Sequence, residues 1–398
     1  MSRLPRVLLL NYEFPPIGGG AGHASFQLAK TLVAQGGSVD VITSSPTNQT
    51  TSDVADGVRI FRVPSRRRGV HECGWLGAWS YVLSARPLFR RLLREQSYDV
   101  IHYFFGLPTG VLSLCAAEAG RIPSVVSLRG SDVPGYDAVN APLQAVHQIL
   151  RPVTRRIWSR ADAVVANSRA LSVLAQPILA GRPIQVVTNA IEADAFSPAA
   201  SNGRKASAEL RLLTVARLTQ RKGLQDLFRA MTELRQEPLR LTVQGTGSHQ
   251  EALKELARTL GISDQVQFAG FCVREQLPSV YRQADVFVMP SLSESCSMAV
   301  LEAMACGLPI IACWVGGMAE YVEDGVNGLL VPPGDSQALA QAIRSLLHNA
   351  SLRAEMGRQS AAKARKDYSW ERVTGEYLAI YRRIMDRRNG HGASHAAG

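Results

Sequence analysis

The chain has 398 residues, of which 46% are hydrophobic and 19% are charged, a composition typical of a globular protein with room for two domains. No run approaches the roughly 20 apolar residues of a membrane span, and no signal peptide is recognisable, so we expect a cytoplasmic protein. The cysteines show no C-x-x-C spacing and no clustering with histidine, which argues against a metal centre or a disulfide framework. The six cysteines are Cys73, Cys115, Cys272, Cys296, Cys306 and Cys313.

The formal net charge of +11 is unevenly spread. Residues 59 to 160 hold fifteen Arg, no Lys and six Asp or Glu, a net charge of +9. Basic helical faces beside apolar residues attract anionic lipid headgroups, so contact with an anionic membrane surface is one interpretation, and a solvated face is the simpler one. Nucleic acid is not favoured, because no nucleic-acid-binding motif accompanies the charge. Many of these arginines fall into three clusters along the sequence. They are Arg66, Arg67 and Arg68; Arg90, Arg91 and Arg94 beside Leu88, Phe89, Leu92 and Leu93; and Arg151, Arg155, Arg156 and Arg160.

The first 190 residues alternate apolar runs with helical patterns, which is typical of βαβ units and predicts a parallel sheet with its site at the carboxyl ends of the strands. A glycine-rich loop at 12–22 follows the first strand. Gly19 and Gly20 let the backbone approach a ligand closely, or they form a plain turn. Their order is not G-x-G-x-x-G, which argues against a dinucleotide site. Strands are predicted at 6–11, 39–43, 58–63, 99–104, 124–128 and 161–168, and a helix at 23–35.

Polar residues follow the strand predicted at 124–128. Arg129 carries a fixed charge that would bind a phosphate or an acceptor carboxylate but would not titrate near neutrality. Asp132 is interpreted either as a cap or turn residue or as a substrate contact. His102 fits packing at a strand end better than catalysis, and we keep it with Arg129 and Asp132 as a candidate for the cleft or acceptor side.

A second βα series begins at residue 210. The strand predicted at 212–216 is followed by Arg217 and, after a turn, by Lys222, just before a helix that begins at Leu224. Two cations at a strand end neutralise two phosphates without a metal, because Arg supplies forked donors and Lys a mobile charge. Plain surface exposure is the alternative. Further strands are predicted at 239–244, 266–269 and 329–331, and a final helix at 370–385.

The most informative stretch is 284–313, which predicts a buried strand at 286–289, a polar loop, a helix at 297–306 and a strand from Leu308. A helix N-terminus with unpaired N–H groups is a natural site for a phosphate or a sugar hydroxyl. Glu294 lies in the loop, and Glu302 follows eight residues later, a spacing of about 12 Å along a helix. The residues around Glu302 are apolar, so its carboxylate needs a partner. A solvated face is the alternative for such a pair.

Two runs, ADVFVMPSLSESCSMAVLEAMACGLPII and ARLTQRKG, resemble the donor-binding signature of the retaining glycosyltransferases of family 4. The resemblance implies that Arg217 and Lys222 hold the pyrophosphate of a nucleotide-diphosphate sugar, while Glu294 holds hydroxyls of the donor sugar. We take these three residues as the catalytic candidates. The resemblance also implies donor contacts, to the base through the backbone of Phe271 and Cys272 and elsewhere through Gly19, Gly20, Ser297, Met298, Ala299 and Glu302.

The sequence departs from the family pattern at three places. Glu294 is followed by Ser-Cys-Ser where Gly-Phe-Gly is common, which makes the donor sugar harder to infer. Arg129 stands where many members have His. Ala190 follows Asn189 where Gly is usual.

The resemblance implies an α/β fold with two Rossmann-like domains facing across a cleft, the GT-B architecture, and a C-terminal helix crossing back to the first domain. We expect an acceptor-side domain at 1–190 that includes the C-terminal helix at 369–386. A donor-binding domain is expected at 191–368 and a disordered tail at 387–398.

The implied function is retaining transfer of a sugar from a nucleotide-diphosphate sugar to a hydroxyl of a glycan or lipid-linked acceptor. No cofactor and no metal are expected. Family habit suggests bacterial surface polysaccharide, lipopolysaccharide or glycolipid synthesis, in the cytoplasm or at the inner face of the cytoplasmic membrane. The alternatives are a nucleotide-sugar epimerase of the same fold and a catalytically silent, membrane-associated scaffold.

Overall fold

The computed structural model describes residues 3–69, 73–138, 140–199 and 209–395. The chain divides into two compact units. Met1–Asn189 together with Trp370–Gly398 forms the N-terminal domain, and Ala190–Ser369 forms the C-terminal domain. The chain passes between the two units after Asn189 and after Ser369, each one residue from the expected crossing points.

The N-terminal domain is built on a sheet of eight strands within the described residues. Their bounds are β1 Arg6–Leu10, β2 Ser38–Ser44, β3 Thr51–Ala55, β4 Val58–Val63, β5 Val100–Phe104, β6 Ser124–Leu128, β7 Ala163–Ala166 and β8 Gln185–Val186. The order is β3-β4-β2-β1-β5-β6-β7-β8, and all neighbours are parallel except β3 and β4. The chain therefore reverses its direction of sheet growth between β1 and β5. Edge strand β3 escaped prediction because it is polar and exposed.

Four α-helices lie between strands of this domain in the described ranges, after β1, β4, β6 and β7: α1 Gly20–Ala34, α2 Gly74–Glu95, α3 Ala141–Arg160 and α4 Arg169–Leu179. Helix α1 begins three residues before the predicted start, since Gly19 takes the N-cap position and its carbonyl accepts from the amide of His23 at 3.1 Å. Asn140 and Ser168 cap α3 and α4 through side-chain bonds to backbone amides. Short 3-10 helices lie at Thr109–Leu114 and Glu118–Arg121.

The C-terminal domain is built on an all-parallel sheet. Its described strands are β9 Leu210–Val215, β10 Leu239–Gln244, β11 Val266–Gly270, β12 Val286–Met289, β13 Ile310–Cys313 and β14 Gly328–Val331. The order β11-β10-β9-β12-β13-β14 places the reversal between β9 and β12. Apolar clusters line both faces, so the central strands are buried throughout, as a parallel sheet covered by helices requires.

Helices cover both faces of this second sheet. Their bounds are α5 Leu224–Glu233, α6 Gln250–Thr259, α7 Leu277–Gln283, α8 Met298–Ala305, α9 Met318–Tyr321, α10 Ser336–His348 and α11 Ala350–Asp367, with 3-10 turns at Gln220–Lys222, Ser263–Gln265 and Arg274–Gln276. No helix in the described ranges of the chain has both the length and the apolar character needed to cross a bilayer.

The last helix, α12 at Trp370–His395, packs in the N-terminal domain. Tyr381 Oη lies 2.7 Å from Nδ1 of His102 on β5. Further along, the Arg388 guanidinium forms two 2.9 Å bonds with the Asp162 carboxylate. The predicted disorder of 387–398 is wrong for 387–395, because a helix anchored as far as Arg388 adds further residues at little cost. Residues 396–398 lie outside the described residues.

His102 makes the stability of the N-terminal domain depend on pH. Burial lowers its pKa to about 3, with the charge of Arg129 acting in the same direction. Between that value and the ordinary histidine pKa near 6.5, the unfolded chain binds a proton that the folded chain does not, so stability falls as the pH falls. The contribution lost on going from pH 7 to pH 5 is about 2 kcal/mol.

Denaturant unfolding at pH 7 and pH 5 therefore shows a smaller loss of stability in His102→Gln than in the wild type. His348→Gln changes an exposed histidine on α10 and serves as the control. A wild-type pH dependence retained by His102→Gln would contradict this account.

Candidate functional site

The reversal of strand order between β9 and β12 defines the candidate site of the C-terminal domain. Helices leave β9 and β12 on opposite faces of the sheet at such a point, which opens a crevice at the carboxyl ends of the strands. Arg217 and Lys222 follow β9, and Glu294 follows β12. The sequence separates these residues by more than seventy positions, and the sheet brings them to one edge.

Glycines allow the loops at this edge to pack backbone against backbone. Gly223, with φ of +68°, ends the 3-10 turn after β9, and a Cβ there would lie 1.8 Å from the carbonyl oxygen of Pro290. A Cβ on Gly316, after β13, would lie 1.6 Å from the carbonyl oxygen of Glu294. Any other residue would force the loops apart, so both glycines fix the position of the Glu294 loop relative to the loops beside it.

Lys222 and Glu294 form a buried ion pair at the centre of the edge. The Lys222 Nζ donates to Glu294 Oε2 at 2.5 Å, and the two side chains are only 13% and 8% exposed. Burial by itself would raise the pKa of Glu294, but the charges of Lys222 and Arg221 outweigh it and hold that pKa below its ordinary value. Glu294 is therefore an anion at neutral pH.

Two more arginines bring positive charge to the same edge. Arg217 is exposed and makes no ion pair with the residues that the structure describes, and it lies close enough to Lys222 for its charge to act on the ammonium group. Arg221, which sequence reasoning missed, donates to the carbonyl oxygen of Ser293 at 2.6 Å. It braces the Glu294 loop. Its position beside Lys222 in ARLTQRKG was the sequence feature that could have indicated a place at this edge.

The N-terminus of α8 faces the same edge. Its first intrahelical bond runs from the amide of Leu301 to the carbonyl of Ser297 at 3.2 Å. The amides of Met298 and Ala299 therefore have no partner among the described residues, and they present the positive end of the helix dipole. Ser297 occupies the N-cap position, but its side chain makes no capping bond, contrary to the usual behaviour of a serine there.

Glu302 is buried and paired, as the apolar sequence around it predicts. Its Oε1 accepts from Arg274 at 2.6 Å and its Oε2 from the Tyr281 hydroxyl at 2.8 Å. Arg274 also pairs with Glu192 at 2.5 Å. Sequence reasoning missed Arg274, Tyr281 and Glu192, because pairing across such separations has no local pattern. Each carboxylate oxygen of Glu302 keeps a second lone pair that can accept a hydrogen bond from a ligand.

Phe271 and Cys272 follow β11, at the far side of the same edge. Gly270 ends the strand with φ of +75°, and Phe271 after it is 59% exposed. The Cys272 Sγ lies 3.3 Å from the carbonyl oxygen of Val273. Strand β11 is three positions from β12, about 14 Å at the usual spacing of strands, which is the scale of an extended nucleotide.

In the N-terminal domain, Gly19 is the N-cap of α1 and Gly20 its first residue, with Gly19 half-buried and Gly20 exposed. They follow β1, which borders the reversal point of this sheet. The amides of the first turn of α1 therefore lie at the carboxyl edge of the N-terminal sheet. Their ligand remains a prediction.

Asp132 is buried and holds a turn. Its carboxylate accepts from the amides of Gly106, Arg129 and Gly130 at 2.6, 2.9 and 3.0 Å. Burial raises its pKa, and these amide bonds partly oppose that rise. Arg129 is also buried, bonds to the side chain of Asn189 and lies 4.9 Å from the centre of the Phe104 ring.

His102 is enclosed between β5 and α12. One ring nitrogen lies 2.7 Å from Tyr381 Oη and the other 2.7 Å from Ser127 Oγ. The side chain has no exposed surface. The structure thus places His102 in the core of the N-terminal domain, where it packs against the last helix, and not at an open surface.

Glu13, which sequence reasoning did not single out, follows β1 at the reversal point. Its amide donates to Asn11 Oδ1 at 3.0 Å, and Asn11 in turn donates to Ser25 Oγ at 2.8 Å. The side chain is 9% exposed, yet its carboxylate makes no hydrogen bond or ion pair with any residue in the described ranges. An acidic residue between a strand and a glycine-rich loop was the sequence signal.

No three His, Cys, Asp or Glu side chains in the described ranges lie close enough to hold a metal ion. Positive charge at the C-terminal edge comes from Arg217, Arg221 and Lys222.

The two halves of the chain match known families. Residues 200–363 match the family model described as glycosyl transferases group 1, and residues 19–190 match a glycosyl transferase 4-like domain. A D-inositol 3-phosphate glycosyltransferase of Kineococcus radiotolerans is 30% identical over 432 residues, covering 98% of each chain. A glycogen synthase of Mycobacterium tuberculosis is 27% identical over 94% of each chain.

Among solved structures, the sucrose-phosphate synthase of Thermosynechococcus elongatus superposes with a TM-score of 0.85 at 23% identity, covering 96% of this chain and 100% of that one. The likeness shows the two-domain GT-B fold, as the family resemblance implied.

The Lys222–Glu294 pair is expected to stabilise the C-terminal domain only as a pair. Lys222→Met and Glu294→Gln each leave a buried polar group without its partner and lower the free energy of unfolding by about 3 kcal/mol. The double variant loses less than the sum, because no charge is left unpaired. Denaturant unfolding of the four proteins measures the coupling, and strictly additive losses would refute it.

Two carboxylates of the N-terminal domain are expected to respond differently to neutral substitution. Glu13→Gln changes a carboxylate that has no partner among the described residues and leaves the free energy of unfolding nearly unchanged. Asp132→Asn replaces an acceptor of amide bonds by a donor and lowers it by about 2 kcal/mol. Chemical denaturation compares the two, and a destabilised Glu13→Gln would show that its carboxylate has a structural partner.

Proposed function

Because the chain belongs to the group 1 glycosyltransferases, the family 4 type, we propose that it transfers a sugar from a nucleotide-diphosphate sugar to an acceptor hydroxyl with retention of anomeric configuration. The acceptor is a glycan or a lipid-linked sugar. The observation that carries the proposal is that Arg217, Lys222 and the first amides of α8, which have no partner among the described residues, all follow the two strands at the reversal point of the C-terminal sheet.

These groups suit a diphosphate whose charge grows during the reaction. As the bond between the sugar C1 and the phosphate oxygen breaks, its electron pair stays on the diphosphate. The developing charge is stabilised by a guanidinium group, an ammonium group and helix amides. These donors are already in position, so they do not have to rearrange during the reaction. Arg217 makes no ion pair with any residue in the described ranges, so binding a phosphate breaks no such pair there.

Glu294 is assigned to hydroxyls of the donor sugar and not to attack on C1. Its carboxylate is held by Lys222 Nζ, which fixes its direction and weakens it as a nucleophile. In the proposed reaction the acceptor oxygen bonds to C1 on the face that the diphosphate leaves. A phosphate oxygen takes the acceptor proton. No covalent enzyme intermediate is then needed.

The remaining donor contacts follow the edge of the C-terminal sheet. We assign the base to the backbone at Phe271 and Cys272, and the ribose to Glu302, which Arg274 and Tyr281 hold in one orientation.

In the N-terminal domain, we assign the first-turn amides at Gly19 and Gly20 to a phosphate group of the donor. Glu13, whose carboxylate has no partner among the described residues, accepts a hydrogen bond from an acceptor hydroxyl. Arg129 and Asp132 shape the edge through the turn that they hold. His102 contributes through packing alone.

The proposed setting is bacterial surface polysaccharide or glycolipid synthesis, on the cytoplasmic side of the membrane. Metal independence is part of the proposal, because Arg217 and Lys222 supply the charge that a divalent ion would otherwise supply. Turnover should persist in EDTA. Loss of turnover in EDTA and its return with Mg²⁺ would refute this part.

The first experiment is a thermal-shift screen with UDP-glucose, GDP-glucose and ADP-glucose, since a ligand at 100 times its Kd stabilises the native state by about 2.7 kcal/mol. The donor that shifts Tm is then incubated alone, with glycogen, and with D-inositol 3-phosphate. Acceptor-dependent turnover with a retained anomer supports transfer. An isomerised sugar from donor alone supports an epimerase, and no nucleotide binding at all supports a silent scaffold.

Arg217→Ala is expected to lower kcat/KM by about a hundredfold, the usual cost of one charge-stabilising donor, with Tm unchanged because Arg217 is exposed. Arg365→Ala, an exposed arginine of α11 in the same domain, is the matched control and keeps full turnover. Equal activity of the two variants would remove Arg217 from the site.

A further inference from the structure

Helix α2 exposes large apolar side chains that the sequence pattern did not indicate. Trp75, Leu76, Trp79 and Leu83 are 46%, 73%, 37% and 70% exposed. The apolar residues that we expected beside the second arginine cluster lie elsewhere, since Phe89, Leu92 and Leu93 are buried in the core. The apolar surface of α2 therefore belongs to its first half.

The exposed residues share one face of the helix. Each residue turns about 100°, so positions 75, 76, 79, 83, 86, 90 and 94 fall within about 100° of one another around the axis. Tryptophan and leucine occupy the first half of this face, and Arg86, Arg90 and Arg94 occupy the second. We call this surface the α2 face. The opposite side, with Tyr81, Ala85 and Phe89, is buried.

Positive charge surrounds the apolar half of the α2 face. Helix α2 contains four arginines and one glutamate. The preceding loop adds three more arginines, and the amide of Arg66 bonds to Ser80 Oγ at 2.7 Å, which ties that loop to the first half of the helix. Arg68 lies beside the start of α2, with its Nε 3.3 Å from where a Cβ on Gly74 would stand.

We propose that the α2 face docks on an anionic lipid bilayer. Tryptophan prefers the boundary between headgroups and acyl chains, and arginines flanking an apolar face bind anionic headgroups. A protein partner would more usually cover such an apolar patch with its own apolar surface and leave most of seven arginines unmatched. An anionic bilayer contacts both kinds of side chain, the tryptophans at the boundary with the acyl chains and the arginines at the headgroups.

Docking would bring the lipid surface to the acceptor side of the N-terminal domain. Parallel strand β4 ends at Val63, so the loop and the first turn of α2 lie at the carboxyl edge of the sheet. Arg67 confirms this placement, because its Nη1 donates to the carbonyl oxygen of Tyr12, directly after β1, at 3.2 Å. The inference rests on the proposed transfer for one point only, that the acceptor is the lipid-linked kind.

A second basic surface provides a matched comparison. Arg151, Arg155 and Arg156 of α3 line a groove of about 610 Å³ against the end of α4. The exposed Ile149 stands about 160° around α3 from Arg151 and about 20° from Arg156, so the basic surface of α3 carries one exposed aliphatic side chain and no exposed tryptophan. The α3 surface has the charge of the α2 face without its tryptophans.

Flotation of the full-length chain tests the proposal, with vesicles of phosphatidylcholine alone and of phosphatidylcholine mixed with phosphatidylglycerol. The wild type should float with the anionic vesicles only. Arg86→Gln with Arg94→Gln should weaken partitioning by about thirtyfold, since each charge near the surface contributes about fivefold. Arg151→Gln with Arg155→Gln removes the same charge from α3 and should leave flotation unchanged.

The apolar half is tested separately. Trp75→Ser with Trp79→Ser and Leu83→Ser should abolish flotation, while Ile149→Ser with Val173→Ser, which changes exposed apolar side chains on α3 and α4, should not. Brominated lipids should quench the fluorescence of the wild type and not that of Trp75→Phe with Trp79→Phe. Phenylalanine keeps most of the buried contacts of Trp75 and Trp79, so the Tm of this variant should stay close to that of the wild type.

Three results would overturn the proposal: equal flotation with neutral vesicles, flotation of the serine variant at the wild-type level, or loss of flotation in the α3 variant alone. Nucleotide binding measured without vesicles separates this inference from the proposed reaction. A chain that binds a donor but no vesicle refutes the α2 face, and one that floats but binds no donor refutes the transfer.

Discussion

The candidate site depends on the buried ion pair between Lys222 and Glu294. Its two members come from loops after β9 and β12, the strands between which the sheet changes direction. Taking both charges out of water is costly, so the pair adds little net stability, but neither member tolerates loss of the other. The pair therefore fixes the loop geometry. Close glycine contacts at Gly223 and Gly316 leave that geometry no freedom to relax.

The same topological rule acts in the N-terminal sheet, where the reversal lies between β1 and β5. Two buried carboxylates there differ in one respect. The Asp132 carboxylate accepts hydrogen bonds from three backbone amides, which is typical of a structural residue. Glu13 is 9% exposed and its carboxylate has no partner among the described residues, which leaves its oxygens available to a ligand.

Charge and burial also separate the two long helices at the surface of the N-terminal domain. Helices α2 and α3 are both rich in arginine and poor in acid. Only α2 places its charge and its exposed tryptophans on one face. A charge count cannot make this distinction, since the physical difference is the angle around the helix axis at which each side chain stands.

The sequence by itself determined the βα order, most strand bounds, the Arg217 and Lys222 turn and the glutamates of the α8 region, because apolar period, glycine and proline placement are local properties. It also required a partner for Glu302, since an apolar helix cannot hold a lone carboxylate. Only the tertiary structure decided that the partners are Arg274 and Tyr281, that His102 is enclosed by α12, that Glu13 has none in the described ranges, and which face of α2 is exposed. Each of these depends on contacts between residues far apart in the chain, or on which side of a helix the core takes, and no local pattern encodes either.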